Sequence, residues 1–236
     1  EVGELVTVSG TTSPTLKIIT DFCKYPRTWV SPTAEPGRLM LEVNTASSGI
    51  NLQRFKDTML KDMPYEHLNE DAAQRGLPER NLPGMYAVFL TGMHLDQDLL
   101  TGGFVMSNPI SVDTKPEDYF HALTLNIGMS IFMCIEKMKT LQPLEHDYLI
   151  GCGGGFSSPV VGQTVADLTG LKVRIFDNWR EATVYGGYVL CCRATGKPVP
   201  ARRQIAEIEP KPSQALERYY KNWKEMREHF KEFKLK

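Results

Sequence analysis

Three successive glycines, Gly153-Gly154-Gly155, separate an apolar run ending at Cys152 from a helix that Ser158 and Pro159 are placed to open. Such glycines strip side chains from the space before a helix N-terminus. Backbone N–H groups and the positive end of the helix dipole then face an opening that suits a phosphate or a nucleotide. With no Cβ, the chain also lets a flat adenine ring lie directly against it. The spacing is neither GxGxxG nor GxxxxGK[ST], so neither dinucleotide-binding nor P-loop chemistry is indicated. On spacing alone, a glycine-rich strand-to-helix turn without a ligand accounts for it equally well. A second turn, Gly10-Thr11-Thr12-Ser13, offers successive amides flanked by three hydroxyls, a concave donor cluster for phosphate oxygens. An ordinary hairpin loop uses the same residue types. Together the two turns suggest a nucleotide held along its length.

Other candidates carry less. His94-x-Asp96-x-Asp98 could ligate a metal, but three polar residues in a loop fit a solvated segment better. His67, His94, His121, His146 and His229 are scattered, and none pairs with a Cys or Ser as nucleophilic catalysis requires. Asp167, nine residues beyond Ser158, is expected to orient local backbone or a neighbouring helix. The five cysteines are odd in number and lack CxxC spacing, so they read as reduced, buried thiols of a cytoplasmic protein.

The elements that must position the two turns follow from patterning. Leu5–Val8 and Leu16–Ile19 read as strands around the first turn, and Leu39–Val43 as another. Ile50–Leu60 is predicted helical, with Leu52, Phe55 and Met59 on one stripe. Residues 61–84, polar and proline-dotted, read as a surface excursion, and Tyr86–Leu90 as a strand. Thr114-x-x-Glu117, with Pro116 in the first turn, is a capping box opening a helix to about Met138 that is apolar nearly all round, hence buried. Tyr148–Ile150 is a buried strand. The following helix runs from Pro159 to a stop at Gly170. Lys172–Phe176 is a strand, Glu181–Ala194 a small-residue helix expected to present a tightly packed face, and 213–236 an amphipathic closing helix packed on its own domain. Strands first, then helices alternating with strands, predict a layered α/β sheet.

Composition is consistent with this. The chain has 236 residues, 42% hydrophobic and 23% charged, with a net charge of -1. This excludes disorder and offers no electrostatic footprint for nucleic acid or an anionic bilayer. No apolar run approaches the ~20 residues of a membrane span. No signal peptide is read at Glu1-Val2-Gly3-Glu4, and the lack of an initiating Met suggests a chain cut from something longer.

The block Gly153-Gly154-Gly155-Phe156-Ser157-Ser158-Pro159-x-x-x-Gln163-x-x-Ala166-Asp167-x-x-Gly170 resembles the adenosine motif of the FGGY carbohydrate kinases. Glu181-Ala182-Thr183-x-x-Gly186-Gly187 is similar to their "EATALGAA" helix, and Val8-Ser9-Gly10-Thr11-Thr12-Ser13 to their second phosphate loop. Gly49 with Gln53, Phe55, Lys56 and Asp57 resembles their "G…WFRD" helix, and Gly102-Gly103-Phe104 through Ala122 their second signature region. The order holds from residue 5 to about 195, and the tail resembles the closing helix.

The resemblance implies a ribonuclease-H-like, actin-like ATPase domain with a mixed sheet and flanking helices, residues 1–236 forming the C-terminal domain of a two-domain enzyme. It implies ATP as phosphoryl donor, with Mg²⁺ carried mainly by the nucleotide and the other domain, and a sugar bound mainly by that other domain. Gly10, Thr11 and Thr12 would meet phosphates, Gly154 and Gly155 the adenine and ribose, Ser158 the base, and Gly49 and Gln53 would line the cleft. The family's catalytic aspartate precedes the second phosphate loop, a point upstream of Glu1; Asp21 is in the wrong place. The expected activity is therefore that of a sugar kinase, silent in this chain alone. A pentulose kinase (xylulokinase-like) leads. An autoinducer kinase is the alternative, because Gly10-Thr11-Thr12-Ser13-Pro14 and Pro36-Gly37-x-x-x-x-Glu42 resemble that subgroup. A non-catalytic actin-like nucleotide-binding module is a further one, and the full-length protein could form a homodimer. Three departures stand out: residues 92–98 lack the family's Glu-Arg pair, Leu125-Asn126 replaces its Glu-Gly, and Ser158 replaces an Asn found in some members.

Overall fold

A computed structural model describes residues 2–45, 48–75, 84–89 and 98–233. Strands β1 (Leu5–Val8), β2 (Ser13–Ile19), β3 (Trp29–Pro32) and β4 (Leu39–Thr45) precede helices α1 (Ser48–Met59) and α2 (Tyr65–Arg75). A small hairpin, β5 (Met85–Val88) with β6 (Gly103–Met106), leads to α3 (Pro116–Leu141). Then follow β7 (Tyr148–Cys152), α4 (Pro159–Thr169), β8 (Lys172–Phe176), α5 (Ala182–Ala194), β9 (Gln204–Ile208) and α6 (Gln214–Glu232).

Seven strands form one mixed sheet in the order β3-β4-β2-β1-β7-β8-β9. The β1–β7 and β7–β8 pairs are parallel and the others antiparallel. Alternation along β2 buries every second residue fully and leaves the others half-buried, so the two sheet faces are unequally covered. On the better-covered face Leu5, Leu41, Val43, Leu149 and Val173 pack under Ile127, Ile131 and Ile135 of α3 and Val161 and Val165 of α4. The hydroxyl pair Thr7–Thr15 and Lys17 are also buried on this side, the lysine donating to Glu145 Oε1 at 3.0 Å.

Several predicted boundaries shift for physical reasons. The box that opens α3 sits one residue later than Thr114: the Lys115 N–H donates to the Asp118 carboxylate at 2.6 Å. The expected surface excursion contains α2, whose Leu68 and Ala72 are buried against α3 and α4; residues 76–83 of that stretch lie outside the described residues. Helix α5 does not present a tightly packed face. Only Cys192 is buried on it, and Val184 and Tyr188 are 68% and 49% exposed. All five cysteines are free thiols, three buried, Cys23 half-buried and Cys191 exposed.

Other expectations hold. Gly170 ends α4 in the left-handed conformation at φ 70°, its N–H donating to Ala166 O. Asp167 orients backbone: its carboxylate accepts from Lys211 N at 2.6 Å and from Gln163 Nε2 at 2.7 Å, docking the segment that leads into α6. Helix α6 packs on its own domain, with Leu216, Tyr219, Tyr220 and Trp223 buried. The Tyr219 hydroxyl donates to Met85 O, and the Trp223 indole to Ala87 O and Asn126 Oδ1. Asn126, one of the two residues departing from the family's Glu-Gly, thus joins α3, α6 and the β5 strand.

Candidate functional site

Strands β1 and β7 are parallel neighbours, but their chains leave in opposite directions. The first turns back into β2; the second crosses through α4 to β8 on the other side. Such a reversal opens a crevice at the C-terminal ends of the two strands, the usual ligand position in α/β sheets. Both glycine turns emerge there and lock together. Ser9 N donates to Cys152 O at 2.8 Å, and Gly155 N donates to Ser9 O at 2.8 Å.

The glycines are needed at this contact. Gly153 has φ 90°, and a Cβ on it would lie 2.5 Å from Ser9 O. A Cβ on Gly155 would lie 1.9 Å from Ser9 Oγ, and one on Gly49 2.1 Å from Gly10 O. Gly154 alone of the three has nothing within 4 Å of its Cβ position; it borders open space. The first turn is also tied to α1: Gly49 N donates to Gly10 O at 3.2 Å, and the Ser13 and Ser48 hydroxyls are 2.5 Å apart.

These contacts frame a cavity of about 800 Å³, the size range of small-molecule sites. Seven of the eight residues singled out from the sequence line it: Gly10, Thr11, Gly49, Gln53, Gly154, Gly155 and Ser158. Thr12 is not among the lining residues; its carbonyl accepts the Gly10 N–H at 2.9 Å and closes the turn. Gly10's own amide is therefore spent inside the loop. Ser158 occupies the N-cap position of α4, yet its hydroxyl makes no cap bond and is buried with no partner among the described residues. His94 and Asp96 lie outside the described residues, and Asp98 is 4.0 Å from Lys231 Nζ.

A whole wall of the cavity escaped the sequence reading. Helix α2 contributes Tyr65, Glu66, Asn69, Glu70 and Ala73, and the loop before α5 contributes Trp179 and Arg180. The signals for α2 were present: Pro64 at its start, Leu68 and Ala72 four apart, and the Asp71–Arg75 ion pair at i,i+4. Arg180 stacks over Trp179, whose carbonyl accepts the Gly153 N–H at 2.7 Å. Burial, and secondarily the charge of Asp57, raises the Tyr65 phenol above its ordinary value, so it stays a neutral hydrogen-bond donor. Behind the wall, burial first and the Arg75 charge second push His121 down to about 4.

The sequence profile described as "FGGY family of carbohydrate kinases, C-terminal domain" matches residues 70–195. The chain belongs to the FGGY family of carbohydrate kinases. YoaC of Bacillus subtilis (strain 168), a protein provisionally named a sugar kinase, is 28% identical over 230 residues, covering 96% of this chain and 46% of its own length. Among solved structures, a xylulose kinase from Rhodospirillum rubrum superposes with a TM-score of 0.76 at 14% identity, over 97% of this chain and 47% of that one. The Plasmodium falciparum glycerol kinase with ADP gives 0.74 at 15% identity, over 100% of this chain and 48% of that one. The chain thus spans about half the length of these relatives. The mixed sheet with flanking helices is the actin-like ATPase fold of FGGY kinases.

Proposed function

We propose that this chain is the nucleotide-binding half of an ATP-dependent kinase that phosphorylates a sugar hydroxyl. The observation that carries the reading is the interlocked pair of glycine turns at the strand reversal, with an orphaned Ser158 hydroxyl beside them. In this reading Gly154 and Gly155 lie along the adenine and ribose, Ser158 meets the base, and Gly49 and Gln53 line the cleft. The phosphates fall to the first turn, Gly10 to Thr12. Because Gly10's amide is engaged with Thr12 O, the available donors there are the Thr11 and Thr12 amides and the Thr11 hydroxyl.

The chemistry such a half supplies is positioning and electrostatics. A general base is expected from the other half of the full-length enzyme, so the chain alone is silent. Asp21 does not serve: it follows β2, which leads away from the first turn for about 20 Å at the usual rise per strand residue. Mg²⁺ is expected to be carried mainly by the nucleotide phosphates, as is usual in phosphoryl transfer. Xylulose kinases among the similar structures favour a pentulose as acceptor; the turn Gly10–Pro14 keeps the autoinducer-kinase alternative. No helix among the described residues is long and apolar enough to cross a membrane, and the cytoplasm is the proposed location.

Isothermal titration of the chain with ATP and ADP in the presence of Mg²⁺ tests the reading. One saturable site is expected, with no sugar phosphorylation. Absence of saturable binding at millimolar nucleotide overturns it.

A further inference from the structure

We infer that Arg180, in the loop before α5, is a phosphate-binding residue of the cleft and makes it favour the charged nucleotide over the uncharged nucleoside; this rests on the nucleotide-site reading above. Among the described residues that line the cavity it is the one cationic side chain, set against the carboxylates of Glu66 and Glu70 on α2. It is exposed, and its guanidinium lies 4.8 Å from the centre of the Trp179 ring with no ion pair among the described residues. The helix resembling the family's begins one residue later, at Glu181, so the sequence reading passed over this arginine.

Backbone contacts place the arginine where the two turns join. Trp179 O accepts the Gly153 N–H at 2.7 Å, and a Cβ on Gly153 would lie 2.5 Å from Ser9 O. Three segments therefore meet at one glycine: the first turn, the second turn and the loop that carries Arg180. Ser9 is also the residue before the Gly10–Thr12 turn to which the phosphates are assigned. The donors available in that turn, two amides and a hydroxyl, are all neutral. A polyphosphate would meet them with Glu66 and Glu70 on the far wall repelling it, so a cation on the near side has a charge to balance. A guanidinium is suited to this, because its planar fork can donate to two phosphate oxygens at once. Stacking on Trp179 holds the fork in place before the ligand arrives, which lowers the ordering cost of binding.

The test is calorimetric titration of the 236-residue chain with ADP and with adenosine, both with Mg²⁺, in the parent sequence, Arg180→Gln and Arg180→Lys. Arg180→Gln should weaken ADP by about tenfold, the worth of one hydrogen bond between charged groups, and leave adenosine unchanged. Arg180→Lys keeps the charge but not the fork, and its ADP affinity should fall between the other two. Both substitutions are at an exposed position and should melt like the parent. An ADP affinity unchanged in Arg180→Gln, or ADP and adenosine weakened by the same factor, overturns the assignment but leaves the nucleotide site standing. Failure of the parent to bind ADP overturns both.

Discussion

Two cavities of similar volume adjoin the sheet, one of about 800 Å³ at the glycine turns and one of about 620 Å³ beneath α5. They share Trp179 and little else. The α5 cavity is walled largely by Val6, Ile150, Phe176, Val189 and Leu190; of its two arginines, Arg193 is paired with Glu35 and Arg202 lies over the Phe176 ring. Its buried thiol, Cys152, is pushed up to about 11 by burial and so is inert. The cleft at the glycine turns instead holds backbone pressed against backbone and an acidic helix wall. Volume does not separate the two cavities. Lining does: interlocked glycine turns beside an acidic helix on one side, a mainly apolar wall on the other.

The largest effect expected from this contrast is at Gly155. A valine there collides with Ser9, so the two turns must part; the chain should lose about 3 kcal/mol of stability, read by urea unfolding, and nucleotide binding with it. Gly154→Val, whose new side chain enters open space, should instead melt like the parent and lose nucleotide affinity by more than tenfold. Equal destabilisation by both would mean that Gly154 also faces protein.

A smaller and opposite pair of effects comes from pH. His121, behind the cleft wall, stays neutral in the fold down to about 4, below its ordinary 6.5. The unfolded chain therefore takes up the proton first, and stability present above pH 6.5 drains away as pH falls towards 4. Cys152, beneath α5, has the reverse sign for alkali. Its folded value lies above the ordinary 9.0, so stability present below pH 9 is lost as pH rises towards 11. Each limb should be worth at most about 3 kcal/mol. His121→Gln should flatten only the acid limb, and Cys152→Ala only the alkaline one. A slope that survives its own substitution would assign that limb elsewhere.

The sequence made the sheet and the two turns legible because short-range chemistry specifies them. Pro159 and Gly170 bound α4, Ser213 caps α6 by accepting from Leu216 N, and the glycine run allows only a close approach. What it hid depends on contacts between distant segments. Helix α2 carries a polar surface because only Leu68 and Ala72 of it are buried, so its weak apolar stripe reads as loop. The Glu181–Ala194 segment has the small residues of a packed helix, and nothing local tells that they lie open. The family-like Gln163 and Asp167 hold the chain leading into α6. Ser158 was legible as a cap position but not as an unsatisfied hydroxyl, because a cap bond is a matter of rotamer and neighbours.

Amide hydrogen exchange with and without Mg·ADP measures the central claim most directly. Protection should rise at Thr11–Thr12 and at Gly154–Ser158, with 65–73 of α2 following, while 184–192 of α5 stays unchanged. Protection gained along α5 with none at the two turns would contradict it.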